Sequence, residues 1–382
     1  MELLLGIIIG LFVLVLLVVV HELGHAIVAR RNGVVVEEFG IGFPPRAWAK
    51  KLKSGILLTL NWLPLGGFVR LQGEHDSADQ KGDYGAATFW QKTKILLAGV
   101  VINWLVAVVV LTLLALTGLP KILPNQFSVQ NDTVIIAQPI ELSSVSNDSP
   151  ADKAGLKVGD QILRFAGEPV LTAESLNQKT AARKGESVEI VYSRKGTENT
   201  AKVTLRSDNT DKKGYLGVGS GQREQIKASW SAPIVGLVTT GQFTLVTLQG
   251  LGDLVANLGK GLVLQFSPDQ STREQGGKSL EDAGNSVAGP VGILGTIFPQ
   301  AQQAGPTQLL FLTAIISLTL AVMNILPIPA LDGGRWFTMT AFRLLKKPLT
   351  KEREEHIQAI GFMVLMVLII VVTFRDVTKL FQ

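Results

Sequence analysis

Apolar and polar positions fall in blocks along this chain. From Leu3 to Val20 no charge interrupts the sequence, and apolar character resumes through Ala26, Ile27, Val28 and Ala29 until Arg30 and Arg31. A helix crosses a bilayer with roughly 20 such residues, so residues 1–31 predict a first membrane span. A second, over 93–119, has its apolar stretch from Ile95 to Leu116 and is closed by Gly118 and Pro120. A third, over 306–342, starts as a helix and is broken by Asn324-Ile325-Leu326-Pro327-Ile328-Pro329-Ala330-Leu331-Asp332-Gly333-Gly334. Irregular backbone at membrane depth requires burial in protein or a polar cavity. A fourth span is expected over 356–376.

The intervening blocks read differently. Residues 32–92 are rich in glycine, proline and basic residues and hold two β-prone apolar runs, Gly55–Leu63 and Gly67–Leu71. These predict a hairpin over 56–71 dipping into the membrane surface, or else a small sheet packed on the helix ends. Residues 126–222 have the composition of a soluble α+β domain, with β-prone runs at Thr133–Ala137, Val188–Tyr192 and around Val203. Residues 228–265 are apolar but interrupted by Gln242, Gln249, Asp253, Asn257 and Lys260. They predict one or two amphipathic helices in the outer interface, with a further span as the alternative. Gln265 to Asn285 reads as polar linker. The expected fold class is an α-helical polytopic membrane protein of about four spans, with an inserted α+β domain and a short membrane-associated β-hairpin.

Composition sharpens this picture in three ways. With 47% hydrophobic residues in 382 and a net charge of only +5, the basic residues read as orientation and headgroup signals, and nucleic-acid binding is unsupported. The absence of cysteine excludes disulfides and any thiolate-ligated metal. The N-terminal run lacks a basic leader and carries Glu2, so it reads as an uncleaved span. The positive charges that follow it place the N-terminus and the 126–222 domain outside the cytoplasm. This is the orientation expected of a multi-pass protein of the cell's inner membrane.

The first span carries chemistry. In His21-Glu22-Leu23-Gly24-His25 the histidines are four apart, about 40° around a helix axis, and so share one face. Two imidazoles and a carboxylate suit Zn²⁺ with a position left for water, and Glu22 beside that water suits a general base. Two histidines can fall four apart by chance. In a membrane span each ionisable residue costs on the order of 2.5–3.5 kcal/mol, which argues for a metal site.

The third ligand follows from depth. The first and third segments both run toward cytoplasmic charges. His21 lies nine positions before Arg30, roughly 13–14 Å along a helix, and Asp332 lies eleven before Arg343, roughly 16 Å. Asp332 is therefore the expected oxygen ligand beside His21 and His25. Its alternative is an ion pair with Arg335. Asn103, near the middle of the second span, suits either a hydrogen bond between helices or contact with the site.

The string Ser149-Pro150-Ala151-Asp152-Lys153-Ala154-Gly155-Leu156-Lys157-Val158-Gly159-Asp160-Gln161-Ile162-Leu163 closely resembles a PDZ domain. Such domains add an extended peptide or a C-terminus to a sheet edge. A spacer or steric filter that binds nothing is the alternative.

The chain as a whole resembles the site-2 protease family of intramembrane zinc metallopeptidases, in its bacterial branch with an inserted PDZ domain. The resemblance rests on His21 to His25, on Asn324 through Leu331-Asp332-Gly333, and on Gly289-Pro290-Val291-Gly292-Ile293. It implies one zinc ion on His21, His25 and Asp332, with Glu22 catalytic. It further implies that Asn324 holds the substrate backbone or oxyanion, and that the hairpin lies at the membrane. The family's second span has Ala-Gly-Pro before its asparagine, whereas Ala98-Gly99-Val100 precedes Asn103 here, which weakens any substrate-positioning role for Asn103. Only one PDZ string is found where many relatives have two.

The implied function is hydrolysis within transmembrane segments of single-span membrane proteins, such as membrane-bound anti-sigma factors or signal-peptide remnants, in regulated intramembrane proteolysis. Two rivals stand beside it: a membrane-bound HExxH peptidase acting on soluble segments, and a non-catalytic PDZ membrane adaptor.

Overall fold

The computed structural model describes residues 2–194, 196–209 and 213–380. Two compact units emerge, one of Met1–Leu114 with Pro233–Gln382 and one of Ala115–Ala232.

The first unit is built on helices. Helix α1 (Glu2–Arg31) is followed by two long strands, β1 (Val36–Lys51) and β2 (Leu57–Leu71), and then by α2 (Phe89–Thr117). Both strands bend. Residues 36–41 of β1 lie between 57–60 and 67–71 of β2, while Arg46 to Lys51 pair with Leu57 to Asn61. The two β-prone runs expected to pair with each other thus flank a common partner, which the sequence pattern had not marked as a strand. The sheet carries a buried carboxylate, Glu38, which accepts from Thr59 Oγ1 at 2.9 Å, from Arg46 Nη2 at 3.0 Å and from Arg70. Trp48, Trp62 and Leu63 on these strands are exposed.

The second unit holds a three-stranded sheet, β3 (Leu119–Pro120), β4 (Val134–Ala137) and β11 (Glu224–Lys227), in the order β3-β11-β4. Between β4 and β11 lies the PDZ-like domain. Its elements are β5 (Ile140–Val145), α3 (Pro150–Lys153), β6 (Gln161–Phe165), β7 (Glu168–Pro169), α4 (Ala173–Ala182), β8 (Ser187–Arg194), β9 (Thr197–Thr204) and β10 (Val218–Gly221). The sheet runs β10-β5-β6-β8-β9 over a core of Ile140, Leu142, Ile162, Phe165, Ile190 and Val203. Ser149 caps α3 by accepting from Asp152 N at 3.2 Å, and Pro150 opens the helix, where a missing N–H costs nothing. Arg194 grips the buried Asp160 through Nε and Nη2, both at 2.7 Å, which pins the Gly155–Asp160 turn.

Returning to the first unit, residues 232–265 form one unbroken helix, α5 (Ala232–Gln265). Its length and composition suffice for a membrane span, so the described residues contain five helices long and apolar enough to cross, α1, α2, α5 and two that follow, in line with the expectation of about four spans. The polar stretch expected as a linker is helix α6 (Gln270–Asn285). It is started by Asp269, which accepts from Thr272 N at 2.9 Å, and its Gly276 packs on Leu264 of α5. Short helical turns α7 (Pro290–Gly292) and α8 (Phe298–Gln303), joined by a wider turn, lead to α9 (Pro306–Ile325), α10 (Asp332–Leu344) and α11 (Lys351–Leu380). The break between α9 and α10 lies where the two prolines predict it.

Candidate active site

The helix period brings His21 and His25 together, with ring centroids 4.8 Å apart, both buried in α1. Asp332 arrives from the first turn of α10, 311 positions later in sequence. Its position depends on the preceding loop. Gly333 and Gly334 sit so close to it that a Cβ would lie 2.2 Å from Ile325 O and 2.0 Å from Ile328 O respectively, so only glycine lets α10 begin there. From α11, Gln358 accepts a hydrogen bond from Ala330 N at 2.5 Å and holds the same loop.

The three donor atoms form a nearly equilateral triangle. His21 Nε2 lies 3.1 Å from Asp332 Oδ2, His25 Nε2 lies 3.3 Å from it, and the two Nε2 atoms are 3.2 Å apart. Donors on a tetrahedral zinc, each about 2.0–2.2 Å from the ion, stand roughly 3.3 Å apart, so this set has the chemistry and spacing of one face of such a site. Among the described residues it is the group of three or more potential ligands that qualifies. Arg335, the alternative partner for Asp332, is engaged elsewhere. It donates to Glu354 Oε1 at 3.0 Å and Glu74 Oε1 at 2.8 Å and stacks on Tyr84.

The surroundings orient the two imidazoles. His25 Nδ1 donates to Ile95 O at 2.7 Å, which fixes the tautomer and leaves Nε2 free to bind. The Asn103 side-chain amide, fully buried, lies 3.4 Å from His21 Nδ1, and its Oδ1 has no partner. When His21 binds through Nε2 its Nδ1 carries the proton, and turning this amide over offers that proton the orphan oxygen. Asn103 thus stands behind His21 with no exposed surface. Asn324 is not in the group: its Nδ2 donates to Leu320 O of its own helix at 3.0 Å.

Glu22 faces a cavity of about 730 Å³ that also exposes His25, Asp332, Phe68, Val69 and Arg335. The strand segment Gly67–Leu71 passes beside it, and a Cβ on Gly67 would stand 3.5 Å from Glu22 Cγ. This segment is an edge of its sheet, since among the described residues it pairs with residues 36–41 on one side alone.

One site residue escaped the sequence reading. Gly99 of α2 abuts both imidazoles, and a Cβ there would lie 2.4 Å from His25 Nε2 and 2.6 Å from His21 Nε2. The available signal was its spacing, four before Asn103 and so on the same helix face.

Residues 9–368 match the model of peptidase family M50. The chain belongs to that family. It is a multi-pass membrane zinc metalloprotease of the M50 type. A candidate zinc metalloprotease of Clostridium perfringens is 31% identical over 361 residues, covering 94% of this chain and 95% of that protein. Zinc metalloprotease RasP of Geobacillus kaustophilus is 27% identical, covering 96% of each chain. The regulator of sigma-W protease RasP of Bacillus subtilis is 25% identical, again covering 96% of each. Among solved structures, the PDZ domain of an SdrC-like protein from Listeria monocytogenes is similar at 25% identity. It covers 25% of this M50 chain and 93% of its own, with a TM-score of 0.20.

Proposed function

We propose that His21, His25 and Asp332 hold one zinc ion and that Glu22 is the general base of this M50 protease. Its substrates are then single-span membrane proteins cut within their transmembrane segments. The observation that carries this reading is the donor triangle of 3.1, 3.2 and 3.3 Å, two of whose members, His25 and Asp332, line the same cavity as Glu22. Zinc bound there supplies Lewis acidity and brings the pKa of water toward neutrality. Glu22 accepts the proton as water attacks the scissile carbonyl and delivers it to the leaving amine.

A helix hides its carbonyls, so the substrate must be unwound. The edge segment Gly67–Leu71 offers a strand for it to pair with beside Glu22. Asn324 supports substrate once its amide leaves the Leu320 carbonyl. Asn103 acts through His21. In the PDZ-like domain the edge strand β10 and helix α4 border a cavity of about 610 Å³ that includes Val218, Gly219, Asn177 and Thr180, which suits an extended peptide or C-terminus. The charge pattern supports an orientation with the N-terminus and the PDZ-like domain outside the cytoplasm and the site toward the cytoplasmic side of the inner membrane.

The deciding experiment reconstitutes the chain and its Glu22→Gln variant with a single-span substrate and measures metal by mass spectrometry. Zinc at one equivalent in both, with cleavage lost by about 10²–10⁴-fold in the variant, is expected. Full activity of the variant, or material free of transition metal, refutes the assignment.

A further inference from the structure

We propose that the three-stranded sheet β3-β11-β4, together with Trp230, is a membrane-interface anchor that rests in the headgroup layer on the side of the membrane where the PDZ-like domain lies. The inference rests on α2 crossing the bilayer and goes beyond the catalytic reading, on which it does not depend.

Strand β4 is unusual for a soluble domain. It lies at the edge of its sheet, and its apolar residues are exposed on both faces: Val134 is 60% exposed, Ile135 48% and Ile136 44%. Nearby in sequence to the other two strands, Ile122 and Trp230 are exposed at 59% and 66%. A long apolar edge open to water is an aggregation hazard that soluble proteins avoid with charges, proline or cover, and none of these is present on β4 itself.

The position of the sheet along the chain identifies what covers it. The uncharged stretch of α2 from Ile95 to Leu116 is about 22 residues, roughly 33 Å of helix, which matches the ~30 Å hydrocarbon core and brings Thr117 to its boundary. Strand β3 starts two positions later, at Leu119. The far side is tied back as well, because Ala228 N donates to Ala115 O on the last turn of α2 at 2.7 Å. The whole sheet is thus held at the level where lipid headgroups begin. Edge-strand capture of a peptide needs no aromatic residue and no such tether. An interfacial anchor uses both, since tryptophan concentrates at the boundary between hydrocarbon and headgroups.

Asp132 locks the two parts of the anchor together. Two residues before β4, its Oδ2 accepts from Ser229 N at 2.9 Å, from Ser231 N at 3.0 Å and from Ser231 Oγ at 2.5 Å, and Ser229 Oγ donates to Oδ1. Trp230 is the residue between those serines. Lys227, exposed and paired in register with Val134, adds a cation of the kind that meets lipid phosphate.

The absence of cysteine makes the test direct. Ile135→Cys, Trp230→Cys and, on the exposed β8-β9 hairpin of the PDZ-like domain, Thr197→Cys are labelled singly with an environment-sensitive fluorophore. The full chain is placed in phosphatidylcholine–phosphatidylglycerol vesicles carrying a nitroxide near the top of the acyl chain. The labels at 135 and 230 are expected to lose about half their emission to the nitroxide lipid and to resist aqueous iodide, with the Thr197 label showing the reverse. Val134→Cys and Ile136→Cys repeat the reading if either first variant folds poorly, with folding judged by thermal unfolding in detergent. Equal iodide access at 135 and 197 overturns the proposal. So does protection of the 135 label that appears only when a single-span substrate is added, which would make β4 a peptide-binding edge.

Discussion

Gly99 of α2 stands against His25 of α1 so closely that a methyl group on it would lie 2.4 Å from Nε2. The missing side chain is therefore part of the site: it leaves the imidazoles their place and the donor triangle its open side. Overpacking of this kind costs roughly 1–3 kcal/mol where neighbours can shift, and here the neighbours are the proposed zinc ligands. Gly99→Ala is expected to retain its fold, as judged by thermal unfolding in detergent, and to lose most of its zinc and activity. Zinc content at wild-type level in that variant contradicts the close approach.

Leu71 N donates away from β1, to Glu74 Oε2 at 3.3 Å. In a pleated strand the donor two residues earlier points the same way, so Val69 N faces the open edge beside Glu22. Val69→Pro removes that donor while leaving the ladder to β1 its partners. Cleavage of a transmembrane substrate should fall by about tenfold, the equivalent of one hydrogen bond in a water-poor site, with zinc content unchanged. Undiminished cleavage rules out pairing along this edge.

Arg335 joins three elements, donating to Glu74 in the 72–88 loop and to Glu354 on α11 from its own place on α10. Glu354 is 5% exposed and keeps its hydrogen bond from Asp76 N at 2.8 Å, so removing the guanidinium leaves a buried carboxylate without its counter-charge, a loss of about 3 kcal/mol. Arg335→Met is expected to unfold at clearly lower temperature. Adding Glu354→Gln should recover part of the loss, since the orphaned charge goes with it. Strictly additive losses count against the coupling. Lysine is expected to rescue poorly, because it cannot present the fork that reaches both partners.

The PDZ-like domain carries a pH signature. Burial pushes the Asp160 carboxyl up, but its hydrogen bonds from Arg194 and from Lys157 N outweigh this and hold it below its ordinary value of 3.8. A depressed carboxylate contributes stability that is present above the unfolded pKa and is lost as pH falls through the folded one. The loss is therefore expected below about pH 4. Asp160→Asn should lower stability at neutral pH by roughly 1.5–3 kcal/mol and flatten the acid limb of the unfolding curve. A variant with the wild-type acid limb shows that another carboxylate governs it.

What was legible in the sequence is what local physics decides. Hydrophobic run length marked α1, α2, α9 and α11, because a bilayer accepts little else. The four-residue spacing put His21 and His25 on one face for the same reason any helix does. The strings around Ser149 and Asp160 specified a cap and a turn through contacts within a dozen residues. For residues 228–265 local rules pointed to one or two amphipathic helices, and a single helix, α5, forms there. Its packing depends on partners far away in sequence: Gly236 fits against Thr112 of α2, and Trp104 Nε1 donates to Thr244 Oγ1.

The decisions left to tertiary structure all involve groups far apart in the chain. Depth counting placed Asp332 level with the histidines, but only the packing of Gly333 and Gly334 on the Ile325–Ile328 carbonyls sets its oxygen 3.1 Å from His21. Arg335, three positions from Asp332 and a plausible partner for it by spacing, turns instead to Glu74 and Glu354, whose approach no spacing announces. Asn324 bonds back to its own helix, and Gly99 acquires meaning only when α2 is laid on α1. Periodicity tells a residue which way to face. What it then meets is settled by the fit of whole helices, where a few tenths of an ångström separate contact from clash.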